Sequence, residues 1–302
     1  MSLFLYILTV LIWGTTWYAI SLQLGSVPVE QSIAYRFFLA SVTLFLVLII
    51  LRKDLRLSRK VHARLAGQGI CLFSLNFIFF YYATNYIPSG LVSVVFSLAT
   101  ILNVINNRLF FSEAISLKAI LGGMLGLFGL ALLIVPTLEG DQDIQKILFG
   151  LILAFCGTYC FSLGNMIGKW NAGNKTDVAT GNAYAMLYGT LILISFSLFM
   201  QRPFSIEMTP TYLGALVYLA IPGSVIGFTA YLSLVGRIGP EKAAYSTVLF
   251  PVIALLLSAL FEGYDWNIAA STGLVIVLIG NVIVFTPLHR IKTVFLQKHQ
   301  PS

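Results

Sequence analysis

The sequence predicts an all-α membrane protein of ten transmembrane helices arranged as two inverted five-helix repeats. Three observations carry that reading. The 302 residues are 58% hydrophobic and only 10% charged, with a mean hydropathy of +0.91, more apolar surface than a soluble fold of this size could cover. Apolar runs long enough to cross a bilayer, about 20 residues each, follow one another along the whole chain. Short motifs of the first half recur in the second. Lipid offers the backbone no hydrogen-bond partners, so the spans must be helices. A membrane β-barrel would need short alternating segments, and none is seen.

The spans are read at residues 3–22, 33–51, 66–86, 88–112, 116–136, 146–168, 182–201, 211–235, 240–261 and 266–286. The first carries "LIWGTTWYAI" (11–20), with two tryptophans, a glycine and two threonines but no charge. Its start has no basic n-region and no A-x-A site, so it is expected to be a retained span rather than a cleaved signal. The second holds Arg36 in its outer half. A basic loop, "LRKDLRLSRKVHAR" (51–64), then leads to the third, which holds Asn76 and Tyr81. Ser93, Ser97 and Thr100 form a stripe on the fourth, continued by Asn103 and Asn107. The fifth is the glycine-rich "GGMLGLFG" (122–129), whose Gly122, Gly126 and Gly129 make a small-residue seam for close packing inside the fold, with a dimer contact as the alternative. The polar "TLEGDQDIQK" (137–146) marks the midpoint. Thr158, Tyr159 and Ser162 lie on the sixth span, Tyr231 on the eighth, and Tyr245 and Ser246 on the ninth. Pro222 and Pro251 interrupt the eighth and ninth and are candidate hinges. The three cysteines, Cys71, Cys156 and Cys160, read as small apolar fillers rather than a disulfide or metal site.

The formal charge of +7 would suggest nucleic acid in a soluble protein, but here its distribution matters more. Lys and Arg mark cytoplasmic loops, so the 51–64 loop is placed inside, and ten spans then put both termini inside. Arg52, Lys53, Arg56, Arg59, Lys60, Arg64, Lys118, Lys169, Lys175, Arg237, Lys242, Arg290, Lys292 and Lys298 fall inside, against Lys146 and Arg202 outside. Glu30, Glu139, Asp141, Asp143, Glu207, Glu262 and Asp265 gather outside. Shifting the count by one span would break the pattern. The division is then a first repeat over 1–136, a periplasmic linker over 137–146, a second repeat over 147–288 and a cytoplasmic tail over 289–302.

"IWGTTWY" (12–18) is similar to "FCGTYCF" (155–161), Ile87-Pro88 to Ile238-Gly239-Pro240, and the Gly122/Gly129 spacing to Gly273/Gly280. Five helices is an odd number, so tandem halves sit in opposite orientations, an arrangement typical of secondary transporters with a midplane site. Trp13-Gly14, Arg36-Phe37 with Ala40, and Phe111-Ser112-Glu113 before the glycine run resemble the EamA-type members of the drug/metabolite transporter superfamily over nearly the whole chain. The resemblance implies a ten-helix transporter of small metabolites, often an exporter of amino acids or related compounds. In that family helices three, four, eight and nine, with parts of one and six, line a central cavity. Helix nine closes on Phe261-Glu262-Gly263-Tyr264-Asp265, which does not closely repeat the first-half context, so the resemblance gives Glu262 no role.

No Asp or Glu lies mid-span, and the three histidines fall in loops or the tail. That weighs against a proton-coupled cation exporter and favours neutral, zwitterionic or anionic substrates. The candidate substrate-binding residues are Trp13, Thr16, Trp17, Asn76, Tyr81, Ser93, Ser97, Thr158, Tyr159, Ser162, Tyr231, Tyr245 and Ser246. Hydroxyls and aromatic faces suit ammonium and carboxylate groups, but the same hydroxyls can hold helices together, and Trp13 and Trp17 can simply pack. Arg36 has two open roles, pairing with Glu30 or guarding the outer mouth, and Arg108 is expected near Glu113. No catalytic set, metal cluster or cofactor motif is expected; the partners are a small-molecule substrate and the lipid bilayer, not nucleic acid, with the chain a monomer or weak homodimer. The alternatives are a multidrug or organic-cation exporter, a membrane enzyme acting on a lipid carrier, which would need convergent acids or bases, and a channel, which would need charged rings or a carbonyl filter.

Overall fold

The computed structural model describes residues 2–138, 143–173, 176–231 and 249–285, and among these described residues ten helical segments pack into one bundle. They are α1 (Ser2–Ser21), α2 (Val29–Ile50), α3 (Arg59–Ala83), α4 (Ser89–Phe111), α5 (Leu117–Leu138), α6 (Ile144–Gly173), α7 (Val178–Phe199), α8 (Pro210–Tyr231), α9 (Phe250–Phe261) and α10 (Ile268–Phe285). No strand occurs among the described residues. Eight of the helices are long and apolar enough to cross a membrane, while α9 and α10 are shorter apolar helices. The ninth predicted span begins in 232–248, outside the described residues.

Local chemistry sets the ends. Asp177 accepts from the Thr180 amide at 2.9 Å to open α7, and Thr209 accepts from the Tyr212 amide, with Pro210 at the first helical position of α8. α2 and α7 close alike: the Lys53 amide reaches the Leu48 carbonyl at 2.9 Å and the Arg202 amide the Ser197 carbonyl at 3.1 Å, around Arg52 (φ 53°) and Gln201 (φ 52°). α4 ends on Ser112 at φ 57°, and Gly263 at φ 71° follows the end of α9.

One end of the bundle carries exposed Arg52, Lys53, Arg56, Arg59 and Lys60. There Lys169 pairs with Glu113 at 2.7 Å, His62 meets the Tyr188 hydroxyl at 2.7 Å and Asn171 donates to Gln68. The opposite end carries Glu30, Asp143, Glu207, Glu262 and Asp265. Glu30 binds Arg202 at 3.0 Å, Glu207 accepts from Ser26 at 2.9 Å, and Gln31 ties Pro203 and Ser205 to α2. α5 packs along α10, α2 along α7, α4 against α6 and α9, and α3 against α6 and α7. The α5–α10 contact is a glycine seam: a Cβ on Gly129 would lie 2.6 Å from the Gly273 carbonyl, and one on Gly280 2.7 Å from the Gly122 carbonyl. The predicted seam is therefore an internal helix contact. The outward faces are apolar, as in the α6 row Leu148, Ile152, Phe155 and Tyr159.

Candidate functional site

The centre of the bundle is a continuous aromatic cluster. Trp13 of α1 meets Phe228 at 5.1 Å and Tyr231 at 5.3 Å on α8, and Phe250 at 5.4 Å on α9. Its indole Nε1 donates to the Gly223 carbonyl at 3.0 Å. That carbonyl is available because α8 widens to a π-helix over Leu219–Ile226 around Pro222. Gly227 makes room for the indole, since a Cβ there would lie 2.5 Å from Nε1. One turn along, Trp17 is buried against Phe80 and Phe96, both at 5.3 Å. Phe96 reaches Phe161 of α6 at 4.7 Å. Phe73 joins Phe228 to Phe37, and Phe37 joins Phe77. The edge-to-face geometries that dominate are the favourable ones for ring quadrupoles.

Four of the five described candidate serine and threonine hydroxyls donate to their own helix rather than to a partner helix. Thr16 donates to the Trp13 carbonyl, Ser93 to Gly90, Ser97 to Val94 and Thr158 to Ala154, each three or four residues back and at 2.6–2.7 Å. In a dry helix a hydroxyl finds its nearest acceptor on its own backbone, so these four leave only acceptor lone pairs free. Asn76 likewise takes the Phe77 amide at 2.8 Å, just after the second π-helix, Cys71–Leu75 of α3. Ser162 does cross between helices, accepting from Asn106 and donating to Asn103, both at 2.8 Å. Tyr159 is 39% exposed in the outward row of α6, away from the cluster. Tyr81 is buried and donates to Gln23 at 2.6 Å. Tyr245 and Ser246 lie outside the described residues. Thus Trp13, Trp17 and Tyr231 come together in the cluster, while Ser162 belongs to a separate polar contact of α4 and α6.

The charges pair differently from the expectation. Glu30 takes Arg202, not Arg36, because the loop after α7 folds over the start of α2; the Glu30 carboxylate holds the Arg202 guanidinium above its usual range. Arg36 turns inward and is 5% exposed, its guanidinium 4.9 Å from the Phe37 ring centre and 4.4 Å from that of Phe77. Arg108 donates to the Ser112 carbonyl, while Lys169 takes Glu113. Glu262, given no role by sequence, accepts from the Ser89 amide and hydroxyl, both at 2.9 Å, and from the Ser258 hydroxyl. It thereby caps the start of α4. The bonding of Gln23 and the phenylalanines of the cluster were also missed. Phe73, Phe77 and Phe80 stand at helical spacing on α3, but phenylalanine is too ordinary in apolar spans to single them out.

The EamA-like transporter family profile matches residues 1–135 and 148–286. The chain belongs to this family. The EamA-like chain is 25% identical to the uncharacterized transporter YoaV of Bacillus subtilis, over 81% of this chain and 83% of that one. It is 24% identical to the probable amino-acid metabolite efflux pump of Escherichia coli K12, over 85% of each. Protein PagO of Salmonella typhimurium is 26% identical, over 92% of this chain and 90% of the relative. A solved crystal structure superposes with a TM-score of 0.66 over 99% of both chains at 18% identity, which shows the same fold. The EamA-like chain is an integral membrane transporter rather than an enzyme.

Proposed function

We propose that the protein is a secondary transporter that exports small metabolites across the inner membrane, amino acids or related zwitterions first among them. It works by alternating access through a central cavity between two inverted five-helix repeats, residues 1–136 and 147–288, with 137–146 as the periplasmic linker. Both termini are cytoplasmic, on the basic side. It acts as a monomer or weak homodimer.

The observation that carries this reading is the recurrence of irregular backbone about 150 residues apart. The π-helices Cys71–Leu75 and Leu219–Ile226 sit in the third helix of each half. Ser74 and Ser224 each donate to the carbonyl five residues back, Gly69 and Leu219. The left-handed residues Arg52 and Gln201 end the second helices, and Ser112 and Gly263 follow the ends of the fourth. The contacts of Gly129 with Gly273 and of Gly280 with Gly122 exchange into each other when the halves are swapped. Such exchange supports a two-fold axis in the membrane plane, the geometry of alternating access. Pro222 and its π-helix then serve as a hinge.

The substrate class rests on two points. Among the described residues no carboxylate lies mid-helix, so a cation has no fixed counter-charge. The E. coli relative is named an amino-acid metabolite efflux pump. The test is counterflow in proteoliposomes preloaded with single unlabelled amino acids, with and without a pH gradient. Uptake of labelled amino acid that ignores pH and is lost in Trp13→Ala is expected. Uptake of organic cations alone, driven by a proton gradient, would overturn the reading.

A further inference from the structure

We infer that the guanidinium of Arg36 is the anchor for the carboxylate of the transported molecule. Resting on the transporter reading above, this assigns the substrates as small carboxylates, whether zwitterionic amino acids or their 2-oxo acids.

Arg36 lies seven residues into α2, about 10 Å below its acidic-end terminus at 1.5 Å per residue. Among the described residues it is the buried cation of the bundle. Its Nε and Nη1 have no hydrogen-bond partner, and no ion pair to it occurs among the described residues, since Glu30 is engaged by Arg202. The Tyr81 oxygen faces the guanidinium. The Tyr81 hydroxyl donates its hydrogen bond to Gln23 Oε1, and Gln23, 1% exposed, is left with an unpartnered Nε2. The relay Arg36–Tyr81–Gln23 therefore ends in unused donors on both sides and holds no unused charge acceptor. A buried polar donor without an acceptor is costly, and an unpaired intramembrane charge marks a functional site. Phe37 and Phe77 offset part of that cost through their ring faces.

The two unused donors and the positive charge call for an anionic group with more than one acceptor oxygen, and a carboxylate is such a group. Leu24 and Tyr82, the chain neighbours of Gln23 and Tyr81, line an open pocket of about 320 Å³ at the acidic end. That pocket opens beside the chain segments that carry the relay, and the aromatic cluster adjoins Arg36 through Phe37 and Phe77.

The test is competition of counterflow by matched compounds: phenylalanine, phenylpyruvate, phenylalaninamide and phenethylamine, and the leucine series alike. The two carboxylates should compete at least tenfold better than the amide and the amine in the wild type. Arg36→Gln, purified as a monodisperse species, should lose that preference, and Arg36→Lys should retain part of it. Tyr81→Phe should weaken carboxylates several-fold and leave the amine unchanged. Transport that accepts amides and amines within twofold of the acids overturns the anchor but leaves the transporter reading standing; so does an unchanged preference in Arg36→Gln. If that variant fails to fold, the wild-type panel still decides. Absence of transport for every compound overturns both readings.

Discussion

At the scale of single residues, the carboxylate of Glu262 ties the end of α9 to the start of α4. It receives the amide and hydroxyl of Ser89 and the hydroxyl of Ser258, while Ser258 in turn accepts from the Gly90 amide at 2.7 Å. Helix N-termini favour negative charge, and hydrogen bonds to an ionised group contribute about 1.5–3 kcal/mol. Glu262→Ala should therefore lower thermal stability by roughly that amount, with Glu262→Gln in between, as read by unfolding in detergent. An unchanged melting temperature would show that the cap contributes nothing. Glu207 offers a second test. Thr209 and Ser26 donate to it and hold its carboxyl below the usual carboxylate range. A depressed folded value means that the tie is complete above the unfolded-chain value of about 4 and lost as pH falls through the lowered one. The melting-temperature gap between wild type and Glu207→Gln should hold constant from neutral pH downward and close only in strong acid. A gap that closes between pH 8 and 6 would contradict this assignment.

Among the elements, α4 and α8 show how irregular backbone is kept. Ser112 ends α4 in the left-handed region at φ 57°, which costs a residue with a side chain about 1–2 kcal/mol. Gly263, one residue further past the end of α9, takes the same region at φ 71°. Ser112→Gly should therefore raise the melting point, with a gain approaching 1 kcal/mol; a loss would mean that the serine side chain is needed there. The π-helix of α8 depends on Trp13, whose Nε1 takes the Gly223 carbonyl, and on Ser224. The cluster and the hinge are thus one structure, in which a ring that lines the centre also satisfies the broken ladder. Trp13→Phe keeps the ring and removes the donor, so its effect on transport beyond that of packing measures the hinge.

For the whole molecule, the α5–α10 seam is the tightest test of the packing. Gly280→Ala puts a methyl 2.7 Å from the Gly122 carbonyl, and overpacking of this kind costs about 1–3 kcal/mol. Gly214, on α8, has no atom within 4 Å of where a Cβ would stand, so Gly214→Ala should be neutral or stabilising by about 0.5–1 kcal/mol. Equal melting points for the two variants would argue against the seam. The sequence by itself determined the membrane class, the approximate positions of the eight membrane-length helices, the small-residue seam and the aromatic side of α1. These follow from hydropathy and residue size, which lipid reads locally. Only the tertiary structure decided that Glu30 takes Arg202, that Glu262 caps α4, and that most hydroxyls turn back to their own helices. It alone left Arg36 buried without an anion. Those outcomes depend on which faces of distant helices meet and on which acceptor is nearest once water is gone, and neither is written in the spacing of one helix.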